Sequence, residues 1–177
     1  AAWPSTDLMA GKPKPAESAG LAVMMLLSAQ RARNTSAKTG IGTFAFSMQD
    51  ILLEPYGGQI LGLTVGVTTL LTALFASGGI LGFWLAAKRI GNGTDANRIA
   101  GFGAMFGTLG FAGVLLAAPL GSAGLFACGI VVIGFGAGLF GHGTLTSCMQ
   151  AAPSDKVGLA LGSWGAVQAT AAGLAIA

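Results

Sequence analysis

The chain has 177 residues, 53% of them hydrophobic and only 8% charged, with a formal net charge of +3. An ordinary soluble domain is about 25% charged, so this composition cannot build a water-facing surface. The same scarcity of charge excludes a nucleic-acid-binding surface. Cys128 and Cys148 are too few and too far apart on one predicted helix to make a disulfide framework or a metal site.

Charge is distributed unevenly, with seven of the fifteen charged residues in the first 39. Residues 1–39 read as a cytoplasmic connector, opening with the Pro-, Ala-, Ser- and Lys-rich run AAWPSTDLMAGKPKPAES, a flexible composition. Residues 21–29 are apolar but number only nine. They fit an interfacial helical turn, a poorly ordered stretch or the remainder of a longer span. Arg31, Arg33 and Lys38 follow this run instead of preceding it, which argues against a signal peptide.

From residue 40 onward the chain reads as a transmembrane half-bundle. A hydrocarbon core about 30 Å thick takes roughly 20 apolar residues in helical form. Five stretches qualify, near 40–61, 64–87, 99–118, 125–149 and 157–177, the first weakened by internal polar residues. Strands are excluded because the runs are long and lack period-two alternation. Most of the chain's thirty glycines lie inside these apolar runs with no collagen-like period, as suits helices that approach closely. The chain opens on Ala1 and ends within the apolar run AAGLAIA, so it is expected to be a piece of a longer protein.

The placement of cations tests this threading independently, since Lys and Arg gather in cytoplasmic loops. Lys12, Lys14, Arg31, Arg33 and Lys38 precede the first span, Lys88, Arg89 and Arg98 lie between the second and third, and Lys156 lies between the fourth and fifth. The alternate turns, near Gly62 and at 119–124, carry none. All nine cations therefore fall on one side, and the amino-terminal segment is expected in the cytoplasm. Trp84, Trp164 and Tyr56 near the span ends are expected as interfacial anchors or packing residues. Gly78 with Gly82, Gly103 with Gly107, Gly134 with Gly138, and Gly158 with Gly162 are each four apart and predict helix-packing faces.

The polar residues within spans carry whatever chemistry exists. SMQDILLEPYGGQIL places Gln49, Asp50 and Glu54 in an apolar segment, and Asp50 and Glu54 share a helix face at i and i+4. An ionised carboxylate at mid-bilayer costs about 2.5–3.5 kcal/mol, so these groups should face protein or a water-filled cavity. One reading is a binding or proton-coupling site. In the other, Glu54 sits at the outer interface and Asp50 braces a neighbouring helix. Pro55, Tyr56, Gly57 and Gly58 then predict a helix kink or end.

His142, the single histidine, lies between Gly141 and Gly143, and those bare flanks would admit a flat ligand such as a magnesium chlorin. A hydrogen-bonded packing histidine is the alternative. Gly136, Gly138 and Gly141 match G-x-G-x-x-G only formally, because no strand precedes them. No Ser-His-Asp, Cys-His or metal-ligand cluster is present in the sequence, so an enzyme is not expected and no metal is assigned.

The runs GTFAFSMQDILLEPYGGQIL at 42–61, IGFGAGLFGHGTLTSCM at 133–149 and VGLALGSWGAVQATAAGLA at 157–175 resemble the PucC family, the bacteriochlorophyll-delivery branch of the major facilitator superfamily. The resemblance covers about three-quarters of the chain. It implies an all-α polytopic membrane protein, with this chain the carboxy-terminal half of a twelve-helix bundle, its five spans being helices seven to eleven. KRIGNGTDANR would then be the basic loop between helices eight and nine.

The resemblance further implies an assembly factor for light-harvesting complexes in the intracytoplasmic photosynthetic membrane of a bacterium. Its partners would be antenna polypeptides, and bacteriochlorophyll, or the enzymes that make it, would be its cofactor or neighbour. A proton-coupled transporter of a small solute and a pigment-free scaffold are the alternatives. RARNTSAKTG departs from the family's apolar pattern at the start of the seventh helix, so no role is carried onto residues 1–39.

Overall fold

The computed structural model describes the backbone of residues 15–59, 62 and 64–177. The side chains of residues 1–29, 31–32, 50–52, 54, 60–61, 63, 65 and 68 lie outside the described ones. The described chain is helical throughout: α1 (Pro15–Gln59), α2 (Val65–Gly91), α3 (Ala96–Ala117), α4 (Ala123–Ala151) and α5 (Val157–Ile176), with a short 3₁₀ turn at Ser154–Lys156 before α5. Among the described residues, four helical stretches are long and apolar enough to cross a membrane: Thr69–Gly91, Ala96–Ala117, Ala123–Ala151 and Ser154–Ile176. These correspond to the second to fifth predicted spans. Residues 40–59 of the first predicted span lie within α1, and among the described residues that stretch is not one of the four.

Helix α1 differs most from the sequence reading. It runs for 45 residues, roughly 67 Å at 1.5 Å per residue, and continues through Gly40 where the first span was expected to begin. The opening run at 1–14 lies outside the described residues. Pro55 sits inside the helix, which ends at Gln59, one residue beyond Gly58.

The other helices begin and end where local chemistry directs. Asp95 caps α3 by accepting from the backbone N–H groups of Asn97 (2.7 Å) and Arg98 (3.2 Å). The Ser122 hydroxyl caps α4 by accepting from Leu125 N at 3.2 Å. Lys88 and Arg89 occupy the last turn of α2, where cations complement the helix dipole. Gly93 and Gly121 take φ of 88° and 57° in the turns that follow α2 and α3, a conformation that costs glycine nothing.

Helix α4 forms the centre, with half of its most apolar stretch buried, and it touches each of the other four helices. It contacts α2 backbone to backbone. Gly134 and Gly138 of α4 lie against the carbonyls of Phe75 and Gly79, and Gly78 and Gly82 of α2 lie against those of Val131 and Phe135. On another face Gly129, Gly136 and Gly143, seven apart, meet Ala96, Gly103 and Gly110 of α3, also seven apart. A Cβ at Gly143 would lie 2.7 Å from Ala100 N. Three of the four predicted glycine pairs thus mark packing seams. The fourth does not, because Gly158 and Gly162 have nothing within 4 Å of an added Cβ; α5 instead uses its other face, where Val167 packs against Gly40.

These contacts fix the directions of the helices. Contacts advance together along α2 and α4, so the two are parallel, and they run oppositely along α3 and α4. Phe46 pairs with Phe140 and Tyr56 with Phe126, which makes α1 antiparallel to α4. Thr144 meets Trp164 and Cys148 meets Ala160, so α5 is antiparallel to α4 as well. Consequently every cation with a described side chain, Arg33, Lys38, Lys88, Arg89, Arg98 and Lys156, lies at the same end of the bundle.

Gly138→Ala should lower the stability of the protein in detergent by about 1–3 kcal/mol, the usual cost of overpacking. Gly162→Ala, which meets open space, should be neutral or gain up to about 1 kcal/mol from helix propensity. Thermal unfolding of the two purified variants distinguishes these outcomes, and equal melting temperatures would contradict the seam.

Candidate intramembrane polar site

A cavity of about 210 Å³ opens between α1, α2, α4 and α5, far from the turns. Thr43, Ser47 and Gln49 of α1 and Gln168 of α5 give it polar walls, while Phe46, Phe75, Ala137, Phe140 and Gly141 complete it. Thr43, Phe46 and Ser47 fall three and four residues apart, so the helical period brings them to one side of α1. The ring of Phe140 stays in place through a tilted contact with Phe46, centroids 5.6 Å apart, and through the bare Cα of Gly42, where a Cβ would collide with the ring. An added Cβ at Gly141 would meet nothing within 4 Å, which leaves the cavity wall open there.

Gln49 is the informative member. Its residue is 4% exposed, and its carbonyl oxygen Oε1 is buried without a donor among the described residues. Leaving such an oxygen unsatisfied costs about 1–3 kcal/mol. A donor from outside the protein, either water or a polar group of a ligand, would relieve that cost. The groups around the cavity are hydroxyls and carboxamides, which recognise by hydrogen bonding instead of by charge.

The remaining predicted residues are placed as follows. The backbone of Asp50 and Glu54 is helical within α1, but their side chains lie outside the described ones. Pro55 is exposed, Tyr56 stacks on Phe126 with centroids 5.7 Å apart, Gly57 is buried, and Gly58 has open space around it. His142 does not join the cavity of Gln49. Its half-buried ring packs edge-to-face with Phe83 of α2, centroids 4.5 Å apart, and its Nδ1 is buried with no partner among the described residues. Only one of its two glycine flanks is open, because Gly143 is pressed against the α3 backbone.

Thr43, Ser47 and Gln168 were not singled out from the sequence, although polar residues four apart in an apolar span were a usable signal. A second polar cluster joins the cation-bearing ends of α3, α4 and α5. There Ser147 Oγ donates to Asn97 Oδ1 at 3.0 Å, and Trp164 Nε1 donates to Thr144 Oγ1 at 3.3 Å. Trp164 is therefore tied into the bundle. Trp84 is 61% exposed beneath the Lys88 ammonium, 5.2 Å from its ring centroid, an arrangement suited to a membrane interface.

A family model described as PUCC protein matches residues 2–177. The chain belongs to the PucC family. The match reaches into residues 1–39, which the departure at RARNTSAKTG had set apart. Among curated relatives, Protein PucC of Cereibacter sphaeroides is 55% identical over 138 residues, covering 78% of this chain and 30% of that protein. Protein PucC of Rhodovulum sulfidophilum is 51% identical over 138 residues, with the same coverage of each. A Rhodobacter capsulatus protein named Bacteriochlorophyll synthase 44.5 kDa chain is 30% identical over 135 residues, 73% of this chain and 31% of that protein. The chain thus spans about a third of the length of the PucC family relatives it matches. No solved structure matches it. Four described helices long and apolar enough to cross a membrane, together with this family, point to a multi-pass membrane protein.

Gln49→Leu removes the unsatisfied oxygen and should leave stability unchanged or raise it by about 1 kcal/mol. A fall in melting temperature equivalent to more than about 1 kcal/mol would show that the carboxamide has a partner within the fold.

Proposed function

We propose that this chain is the carboxy-terminal half of a twelve-helix, major-facilitator-type protein that assists assembly of light-harvesting complexes by holding bacteriochlorophyll for antenna polypeptides. The observation that carries this reading is the buried Gln49 Oε1, which has no donor among the described residues, at a cavity with polar side chains inside an otherwise apolar bundle. Membership of the PucC family, and the name of the Rhodobacter capsulatus relative, supply the pigment.

The cavity, at about 210 Å³, falls below the roughly 300–1,000 Å³ of pockets that enclose whole ligands. It fits one polar substituent, with the macrocycle lying along apolar helix faces. The Gln49 amide can donate to a ring carbonyl and accept from water. Asp50 and Glu54 add polarity on the same helix. His142 offers an imidazole for magnesium on the α2 side of α4, approached past Gly141. No bond is made or broken, so the action is binding and transfer.

In this reading residues 40–61 complete a five-helix set beyond a cytoplasmic connector at 1–39. The cationic end faces the cytoplasm by the positive-inside rule, in the photosynthetic membrane of the bacterium.

Asp50→Asn and Gln49→Leu, introduced into the full-length protein of a phototrophic host, should each reduce antenna absorbance by more than half. Immunoblots should show normal amounts of the protein in the membrane. Wild-type antenna levels in both variants would remove the site from the mechanism. His142→Leu should diminish chlorin absorbance co-purifying with the protein, and an unchanged spectrum would release that residue from ligation. A pH-dependent solute flux in proteoliposomes, lost in Asp50→Asn, would instead establish the transporter.

A further inference from the structure

A second, larger opening of about 410 Å³ lies on the other side of Phe140, between α1, α3 and α4. It has two unlike ends. Because α1 and α3 run parallel, Thr35, Lys38 and Asn97 stand together at the cation-bearing end. Ile41, Ala104 and Phe140 line the apolar remainder. Lys38 is exposed, and among the described residues no carboxylate lines the opening. Asn97 engages its Oδ1 with the Ser147 hydroxyl, which leaves the Nδ2 hydrogens for an acceptor. The surrounding end of the bundle carries six cations but only two acids, Asp95 and Asp155, among the described side chains.

We propose that this groove is a site for one anionic phospholipid, whose phosphate is held by Lys38 Nζ and Asn97 Nδ2 and whose acyl chain lies along Ile41 and Ala104. The match is one of charge and shape together. A cation and an amide donor at the membrane boundary meet the phosphate, and the apolar wall beneath them points along the direction of a lipid tail. The tail gains little by leaving other lipid tails, so the headgroup charge sets the preference. The inference does not rest on pigment binding.

The test uses the full-length protein, purified in non-ionic detergent, stripped of lipid and titrated with dioleoyl phosphatidylglycerol or dioleoyl phosphatidylcholine under native mass spectrometry. One phosphatidylglycerol should be retained about fivefold more tightly than phosphatidylcholine, as expected for one juxtamembrane cation. Lys38→Gln should abolish that preference. Gly101→Leu, whose side chain enters open space in the groove, should weaken both lipids while leaving the melting temperature within a few degrees. Equal retention of the two lipids by the wild type would overturn the proposal, as would a preference that survives Lys38→Gln. Displacement of phosphatidylglycerol by millimolar inorganic phosphate would reduce the site to an anion site and overturn the lipid assignment.

Discussion

Gly134 and Gly138 of α4 rest against carbonyl oxygens of α2, while Gly129, Gly136 and Gly143 rest against the backbone of α3, so α4 is held from two sides at distances no side chain would permit. Hydrophobic burial gives little drive between helices surrounded by lipid tails, and close van der Waals contact has to supply the association. This requirement explains the composition. A chain with 30 glycines among 177 residues would be a poor soluble helix former, yet within a membrane the same residues create the contact that holds the bundle together.

The two openings follow from that arrangement. With α2 and α3 drawn tightly onto α4, helix α1 is left to cover the remaining face, and it does so through large residues instead of glycine seams. Phe46 and Tyr56 reach Phe140 and Phe126, and space remains beside the rings. Gln49 and Gln168 line one such space, and Lys38 and Asn97 stand at the mouth of the other. Both polar sites therefore lie where α1 meets the glycine-packed unit of α2, α3 and α4 through large side chains.

Much of this was legible in the sequence, for physical reasons that differ by element. Spans two to five declared themselves by length and apolarity, and the ends of α3 and α4 fell within three residues of the predicted limits because caps such as Asp95 and Ser122 act locally. The shared end of the six cations with described side chains also followed from the sequence, since it depends only on counting spans. Helix α1 was not legible, because Pro15–Gln59 mixes charged, polar and apolar residues whose helical continuity no apolar run announces. The glycine pairs show the limit of spacing as a signal: Gly134 with Gly138 and Gly158 with Gly162 look alike in sequence, and only the identity of the facing helix separates them. Gln49 was legible as a polar residue in an apolar stretch, whereas Thr43, Ser47 and Gln168, which line the same cavity, required knowledge of which faces meet. His142 illustrates the converse, since one of its two glycine neighbours is already used for packing.

Phe140 carries a consequence for how the two spaces communicate. Its ring forms part of both walls, and it occupies the hollow left by the missing side chain of Gly42. Turning that one ring aside would join the basic rim at Lys38 to the carboxamide at Gln49 as a single corridor. An amphiphile entering from the headgroup layer would then have a route into the protein's interior governed by one aromatic latch.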